Sequence, residues 1–424
     1  MPSRSPASLL GVRVRRFLME LIQCPNSRHK LARIGKYLIP LEIELLRRGS
    51  TPAPSRRMGI RDLAAAYPAA ITFTNAKSSV ALAPYELATV HEGRLSVETL
   101  PGNESIGYLA SIRNGISYGR HCAVMTSSGE AVVESGHFAT INDVPVRRGS
   151  WAHLSGRDAR RRWAIDLTSR RRLPRIRRIE GRVATLNLQY SHNYYHWLIE
   201  VLPRLATLRE LGGAVDYYLV DCHSESKRRT LSMLGISERQ MIQPHVALTL
   251  QAPELLLPSF PTPACLHAFR DILAEAAVNA PEVRAMATPR RLFISRRNAK
   301  TRQLENEAEV EALLRKRGFE TCFMEDHSLA QQARLINGAQ IIVGVHGAGL
   351  ANLIFARRGA RVVELVHADR YNRLLFPQLS QTFGLHHWQV LGSSGRRRAL
   401  STSLSDVTTA LDQAEQGLSA GRAA

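Results

Sequence analysis

The chain has 424 residues, 44% of them hydrophobic and 22% charged, and a formal charge of +21. At roughly 150 residues per domain this length calls for two to three domains, and the balance is that of a packed globular protein. It excludes a disordered tail, a collagen-like fibre and a multi-span membrane protein, since no run of about 18 uninterrupted apolar residues occurs. The opening residues carry arginines where a signal peptide would be apolar, and no small-residue cleavage site follows. A cytoplasmic location is therefore expected. Five scattered cysteines, Cys24, Cys122, Cys222, Cys265 and Cys322, form no C-x-x-C pair. They read as buried or incidental thiols and not as a disulfide framework or a zinc site.

Only six of the 57 basic residues are lysine, a ratio that reads as codon composition. The charge is concentrated: Arg147 to Arg182 holds thirteen arginines against Asp158, Asp166 and Glu180, a net of ten. This stretch reads either as a solvated connector or as a surface for an anionic inner-membrane face or an anionic glycan. No recognition helix, zinc finger or RNA-binding aromatic motif accompanies it, so no nucleic-acid partner is expected.

In chain order, residues 8–48 read as two basic, amphipathic helical stretches, and residues 51–57 as a loop. Between about 70 and 145 short β-branched runs alternate with turn signals, and Ser128-Gly129 forms the turn of a hairpin within 121–136. From about 183 the pattern becomes strand, helix, strand, helix. Strands are expected at ATLNLQ, DYYLVDC and PELLLPS; helices at YYHWLIEVLPRLATLREL (broken near Pro203), SKRRTLSMLGI and CLHAFRDILAEAAV. A second series starts at RRLFISRR and runs through ENEAEVEALLRKRGF, ETCFME, SLAQQARLINGA, QIIVGV, LANLIFA and ARVVELV, and SDVTTALDQAEQGL closes the chain. Such alternation implies parallel sheets with helices on both faces. The expected fold class is α/β: a pair of doubly wound, Rossmann-like domains across a cleft, with an N-terminal helical and β-rich extension. The expected boundaries are a basic helical segment (1–60), a β-rich region with the arginine-rich connector (61–182), a first Rossmann-like domain (183–285), a second Rossmann-like domain (286–395) and a terminal helix and tail (396–424).

Three places can carry chemistry. The first is Gly344-Val345-His346-Gly347-Ala348-Gly349-Leu350-Ala351-Asn352, which follows an apolar strand and opens a helix. Glycines allow close backbone approach, and a helix N-terminus presents free N–H groups to a phosphate; His346 can donate to a phosphate oxygen. A tight packing turn would use the same glycines. The dinucleotide fingerprint would sit after the first strand of its unit, but that strand, RLFIS, is followed by RRNAKTRQ without glycine, so a nicotinamide cofactor is not expected. The second place is the loop after RLFIS, where Ser295, Arg296, Arg297 and Arg302 can clamp a diphosphate. Glu364, in the strand after the glycine turn, can accept from ribose hydroxyls or simply complete a hydrogen-bond network. The third is Ser191 to Glu200. His196 and Glu200 stand four apart and share a helix face, so His196 can serve as a base oriented by the carboxylate, while a packed structural histidine is the alternative. No Asp-x-Asp pair occurs, so no carboxylate pair for a divalent metal is expected.

Together these residues resemble a known family. Asn193-Tyr194-Tyr195-His196-Trp197 with Pro203-Arg204, Ile294-Ser295-Arg296-Arg297, Asn306-Glu307 and the glycine turn, in this order and spacing over about residues 185–370, look like glycosyltransferase family 61. Its bacterial members are often described as capsular polysaccharide biosynthesis proteins. The resemblance implies a GT-B architecture, an inverting mechanism, a UDP-sugar donor in the C-terminal half, no cofactor and no required metal. The donor would rest on Ser295, Arg297, Arg302, His346, Gly347, Ala348, Gly349 and Glu364. His196 and Glu200 would be catalytic, with Asn193, Tyr195 and Trp197 lining the acceptor cleft. The acceptor would be a glycan or a lipid-linked glycan. A non-catalytic, glycan- or membrane-associated assembly protein keeping the same fold is the alternative.

Overall fold

The computed structural model describes residues 51–52, 56–132, 172–188, 190–245, 248–278, 283, 286–299, 301–370, 373–394 and 399–420. The helical expectation for 8–48 and most of the arginine-rich connector lie outside these residues. Among the described residues no helix is long and apolar enough to cross a membrane.

The protein is mixed α/β, built on several sheets. In the N-terminal half, strands Arg182–Thr185, Tyr217–Leu219, Met241–Ile242 and Glu254–Pro258 run parallel. In the C-terminal half, Arg291–Ile294, Glu320–Cys322, Ile341–Val345, Arg361–His367 and His386–Ser394 run parallel as well. Of these, Ile341–Val345 and the middle of Arg361–His367 are buried on both faces, which is why they read as near-continuous apolar runs. The helices between them bury one stripe each, as in Leu329–Gly338, where a Ser328–Gln331 capping box supplies the start signal.

The β-rich stretch does not close on itself. Strands Ile71–Ser79 and Ile106–Arg113 extend the N-terminal sheet through Glu254–Pro258. The hairpin Tyr85–His91/Arg94–Leu100, by contrast, extends the C-terminal sheet, with Tyr85–His91 lying parallel to His386–Ser394. A third sheet carries the expected hairpin, Ala123–Met125 and Glu130–Val132, with Gly129 at φ +97° in its turn. The loop expected at 51–57 instead contributes short strands at Thr51–Pro52 and Arg56–Met58, each paired to a distant segment.

Two local departures matter for the site. The helix expected through 194–211 is α at Tyr194–His196, π at Trp197–Val201 and α again at Arg204–Leu211. Leu202 N–H donates to Trp197 O five residues back, and Pro203 has no N–H to continue the regular ladder. The helix after the glycine turn, Ala348–Phe355, is wound as a 3₁₀ helix. There the Asn352 side chain takes the Gly349 carbonyl at 3.1 Å and competes with the backbone for it. One apolar core runs through both halves, from Leu186, Leu198 and Leu205 to Ile294, Leu350 and Phe376.

Candidate active site

The two motifs, some 150 positions apart in sequence, meet in space. Strand Arg182–Thr185 delivers residues 191–197 to the carboxyl edge of its sheet, the edge where open α/β sheets bind ligands. Strands Arg291–Ile294 and Ile341–Val345 deliver Ser295–Arg297 and His346–Gly347 to the same edge of theirs. The Tyr194 hydroxyl lies 2.7 Å from Asn352 Oδ1 and 2.9 Å from Gln332 Oε1, and Asn352 Nδ2 donates to Gln332 Oε1 at 2.7 Å. Asn352 is fully buried. This polar knot, closed by its own hydrogen bonds, fixes one motif against the other.

His196 is oriented as expected. Its Nδ1 is 2.7 Å from Glu200 Oε2, with the imidazole partly exposed and the carboxylate nearly buried. With Nδ1–H donated to Glu200, Nε2 remains as the basic nitrogen. Asn193 is half-buried, and its side-chain oxygen accepts from Tyr195 N–H at 2.9 Å and caps the helix. Trp197 is buried in the core, beneath the Lys227 ammonium at 5.3 Å. Lys227 in turn donates to Asp221 and to Ser191 O. Tyr195 is buried too, but it bridges. Its ring meets His196 edge-on at 5.3 Å and Phe376 at 5.6 Å, and Phe376 meets His346 at 5.0 Å. An aromatic ladder thus links the two histidines.

His346 is nearly buried, and its Nδ1 is 2.6 Å from Glu364 Oε1. Glu364 is wholly buried, and its second oxygen accepts from Gln389 Nε2 at 2.7 Å and from His387 Nε2 at 3.2 Å. Both oxygens are therefore taken by protein groups, so Glu364 orients His346 instead of meeting a ribose. Burial pushes the His346 pKa down, against the pull of Glu364 and with help from Arg370 and Arg302. Burial would raise the Glu364 carboxyl, but hydrogen bonds from His346 and His387 outweigh it and bring it down to about 2. The pair is consistent with a neutral imidazole donating to an ionised carboxylate.

The arginine at the glycine turn is Arg296, not Arg297. A Cβ on Gly347 would fall 2.0 Å from Arg296 Nη1, so the missing side chain is what lets the guanidinium lie across the turn. Gly347 itself is extended, at φ 178°. Arg296 is further held by Thr301 O at 3.0 Å and Arg302 O. Arg297 points away, half-exposed and paired with Glu311. Ser295 is buried and donates to Glu307, so it braces the loop. Arg302, at φ +58°, and Arg370 act on His346 electrostatically. Gly349 is a packing glycine, its Cβ position 3.1 Å from Ile294, and Ala348 beside it is half-buried. Arg204, from the Pro203-Arg204 pair, is buried and donates to the carbonyls of Leu186, Pro258 and Ser259 at the ends of two strands. It is a clamp for the sheet edge. Phe376, Gln389, His387 and Arg370 escaped the sequence reading. The signal available for two of them was the alternation of His387 and Gln389, which places both on one face of a strand.

Among the described residues no group of three or more His, Cys, Asp or Glu is placed to hold a metal ion.

Residues 194–363 match the family model described as Glycosyltransferase 61. Similar proteins include the alpha-1,3-arabinosyltransferase XAT2 of Oryza sativa subsp. japonica, 31% identical over 109 residues, which is 24% of this chain and 18% of that protein. The beta-1,2-xylosyltransferase XAX1 of the same species is 43% identical over 79 residues, covering 18% and 14%. The human protein O-linked-mannose beta-1,4-N-acetylglucosaminyltransferase 2 is 44% identical over 55 residues, covering 12% and 10%. The chain thus aligns with less than a fifth of the length of each of these relatives. The segment that carries both motifs, from Tyr194 to Val363, is accordingly a glycosyltransferase family 61 domain.

Proposed function

We propose that the protein is an inverting glycosyltransferase. It moves a sugar from a nucleotide-diphosphate donor, a UDP-sugar, to a glycan or lipid-linked acceptor. The observation that supports this most is the meeting of an oriented His196–Glu200 pair with a cationic glycine turn through Tyr195 and Phe376. The relatives named above transfer arabinose, xylose or N-acetylglucosamine, which agrees with sugar transfer and leaves the donor sugar open.

In this reading the C-terminal half of a GT-B-like pair holds the diphosphate on Arg296, Arg302, His346 and the backbone at Gly347. His196 Nε2 takes the proton of the acceptor hydroxyl, and the freed oxygen attacks the anomeric carbon from the face opposite the leaving group. The bond from that carbon to the diphosphate breaks, and its electron pair leaves with the diphosphate, which the arginines stabilise. The arginines supply the positive charge that a divalent metal would otherwise bring, and no cofactor takes part. A role in surface or capsular polysaccharide synthesis, in the cytoplasm and against an anionic membrane face, rests on the family resemblance and on the basic charge.

The test is UDP protection in a thermal-shift assay followed by donor hydrolysis across a panel of UDP-sugars, each with and without EDTA. Protection by UDP together with hydrolysis of at least one donor in EDTA is expected. Hydrolysis that needs added manganese or magnesium would overturn metal independence. UDP protection without turnover on any donor would favour the non-catalytic assembly role.

A further inference from the structure

The Glu364 carboxylate is fully buried, and what surrounds it is ordered in one direction. Glu364 and Gln389 are direct neighbours on adjacent parallel strands, and His387 stands two residues before Gln389 on the same face. Gln389 Nε2 donates to Glu364 at 2.7 Å and to Arg373 O at 2.7 Å, and Gln389 Oε1 accepts from Arg373 Nη1 at 3.1 Å. Arg373 Nη1 also lies 2.7 Å from Glu98 Oε1, on the outer strand of the hairpin that the N-terminal region adds to this sheet. On the other side Ser380 Oγ is 2.8 Å from His387 Nδ1. Gln389 is fixed in one amide orientation, because its oxygen faces an obligate donor and its nitrogen faces two acceptors. Three donors then converge on one carboxylate. Its remaining effect is to hold the Nδ1–H tautomer of His346.

We propose that Gln389 and Arg373, braced by Glu98, are positioning residues that fix the tautomer and orientation of His346 through Glu364. All three lie outside the family-matched segment 194–363, so the donor site is completed by parts of the chain beyond it. The proposal rests on the reading of His346 as a diphosphate-binding residue. The charged groups acting on His346 are Glu364, Arg302 and Arg370, with His387 on the far side of Glu364.

Two measurements on the full chain test it. The first is the imidazole ¹⁵N shift of His346 in protein without nucleotide, assigned by comparison with His346→Gln. The second is UDP affinity from pH 5.5 to 8.5. Gln389→Met is expected to convert the single Nδ1–H pattern into mixed tautomers. It should also weaken UDP binding about tenfold, the scale of one hydrogen bond to a charged group, and move the pH midpoint of binding. Arg373→Met should do the same to a smaller degree, and Glu98→Gln, at the surface, less again. A role in packing alone would lower the melting temperature and leave tautomer and midpoint where they are. Wild-type tautomer and midpoint in folded Gln389→Met would overturn the proposal. If that variant does not fold, the same outcome in Arg373→Met overturns it. Failure of the wild-type protein to bind UDP would sink the donor-site reading, and the ring signals would still judge the relay.

Discussion

Two histidine–glutamate pairs among the described residues have nearly equal length, 2.7 Å for His196–Glu200 and 2.6 Å for His346–Glu364, and they are built in opposite ways. The first is local, four residues apart on a helix with a π turn, and its imidazole keeps 30% of its surface. The second joins two strands, is sealed from solvent, and is surrounded by further donors. An open ring can exchange a proton with a substrate. A sealed ring is held in one state, because changing its charge in the interior is costly. On the proposed function, proton transfer falls to the first pair and the fixing of a binding geometry to the second.

The sharpest way to break that division is His196→Ala. Turnover should fall by about 10²–10⁴, the usual worth of a general base, with melting temperature and UDP affinity nearly unchanged. Near-normal turnover in folded variant protein would remove His196 from catalysis. Glu364→Ala should behave in the reverse manner. It strands donors in the interior, at about 1–3 kcal/mol for a buried polar group left unpaired, so chemical denaturation should show a large loss before any kinetic effect is read. Gly347→Ala probes the donor rim. Its backbone is extended and tolerates a side chain, but the added methyl must displace Arg296. UDP affinity should drop about tenfold, as when a charge-assisted hydrogen bond is lost, with circular dichroism unchanged.

A pH series sharpens the same comparison with a smaller effect. The folded pKa of His346 lies below its ordinary 6.5, so the folded state binds fewer protons than the unfolded one. Its contribution is full above pH 6.5 and declines as pH falls below that value, by at most about 1.4 kcal/mol per pH unit. Glu364, also lowered, adds a loss between its ordinary 4.5 and about 2. Melting temperature between pH 8 and 5 should therefore fall less steeply in His346→Gln than in the wild type; equal slopes would contradict the sealed-pair account. Smallest of all, Arg297→Ala removes a half-exposed arginine already paired with Glu311 and should change UDP affinity less than about threefold, whereas Arg296→Ala should match Gly347→Ala.

How much of this could be read from the sequence follows from range. Period and glycine placement are local, so the alternating strands and helices from Arg182 to His367 were legible, as was the contact between His196 and Glu200. Neighbouring arginines were not separable. Arg296 and Arg297 differ only in which way they leave the strand end, and that is set by Gly347 and Glu311, each many residues away. The strand His386–Ser394 was missed because its polar His387 and Gln389 face a buried carboxylate, so the segment lacks the apolar run of its neighbours. Trp197 looked like a cleft residue because aromatic and polar residues crowd that motif, yet what buries it is the distant Lys227 side.

The placement of strand Tyr85–His91 has a consequence for how the chain assembles. It sits between Arg94–Leu100 and His386–Ser394 in one sheet, and the Tyr85 hydroxyl donates to the Leu385 carbonyl across 300 positions. The C-terminal sheet therefore cannot finish while its own residues are the only ones available. The early-made hairpin must wait with one edge open for a strand synthesised some 300 residues later, and closing so long a loop is slow. A fragment starting after residue 100 would leave the His386–Ser394 edge open, with its backbone groups ready to pair with another molecule.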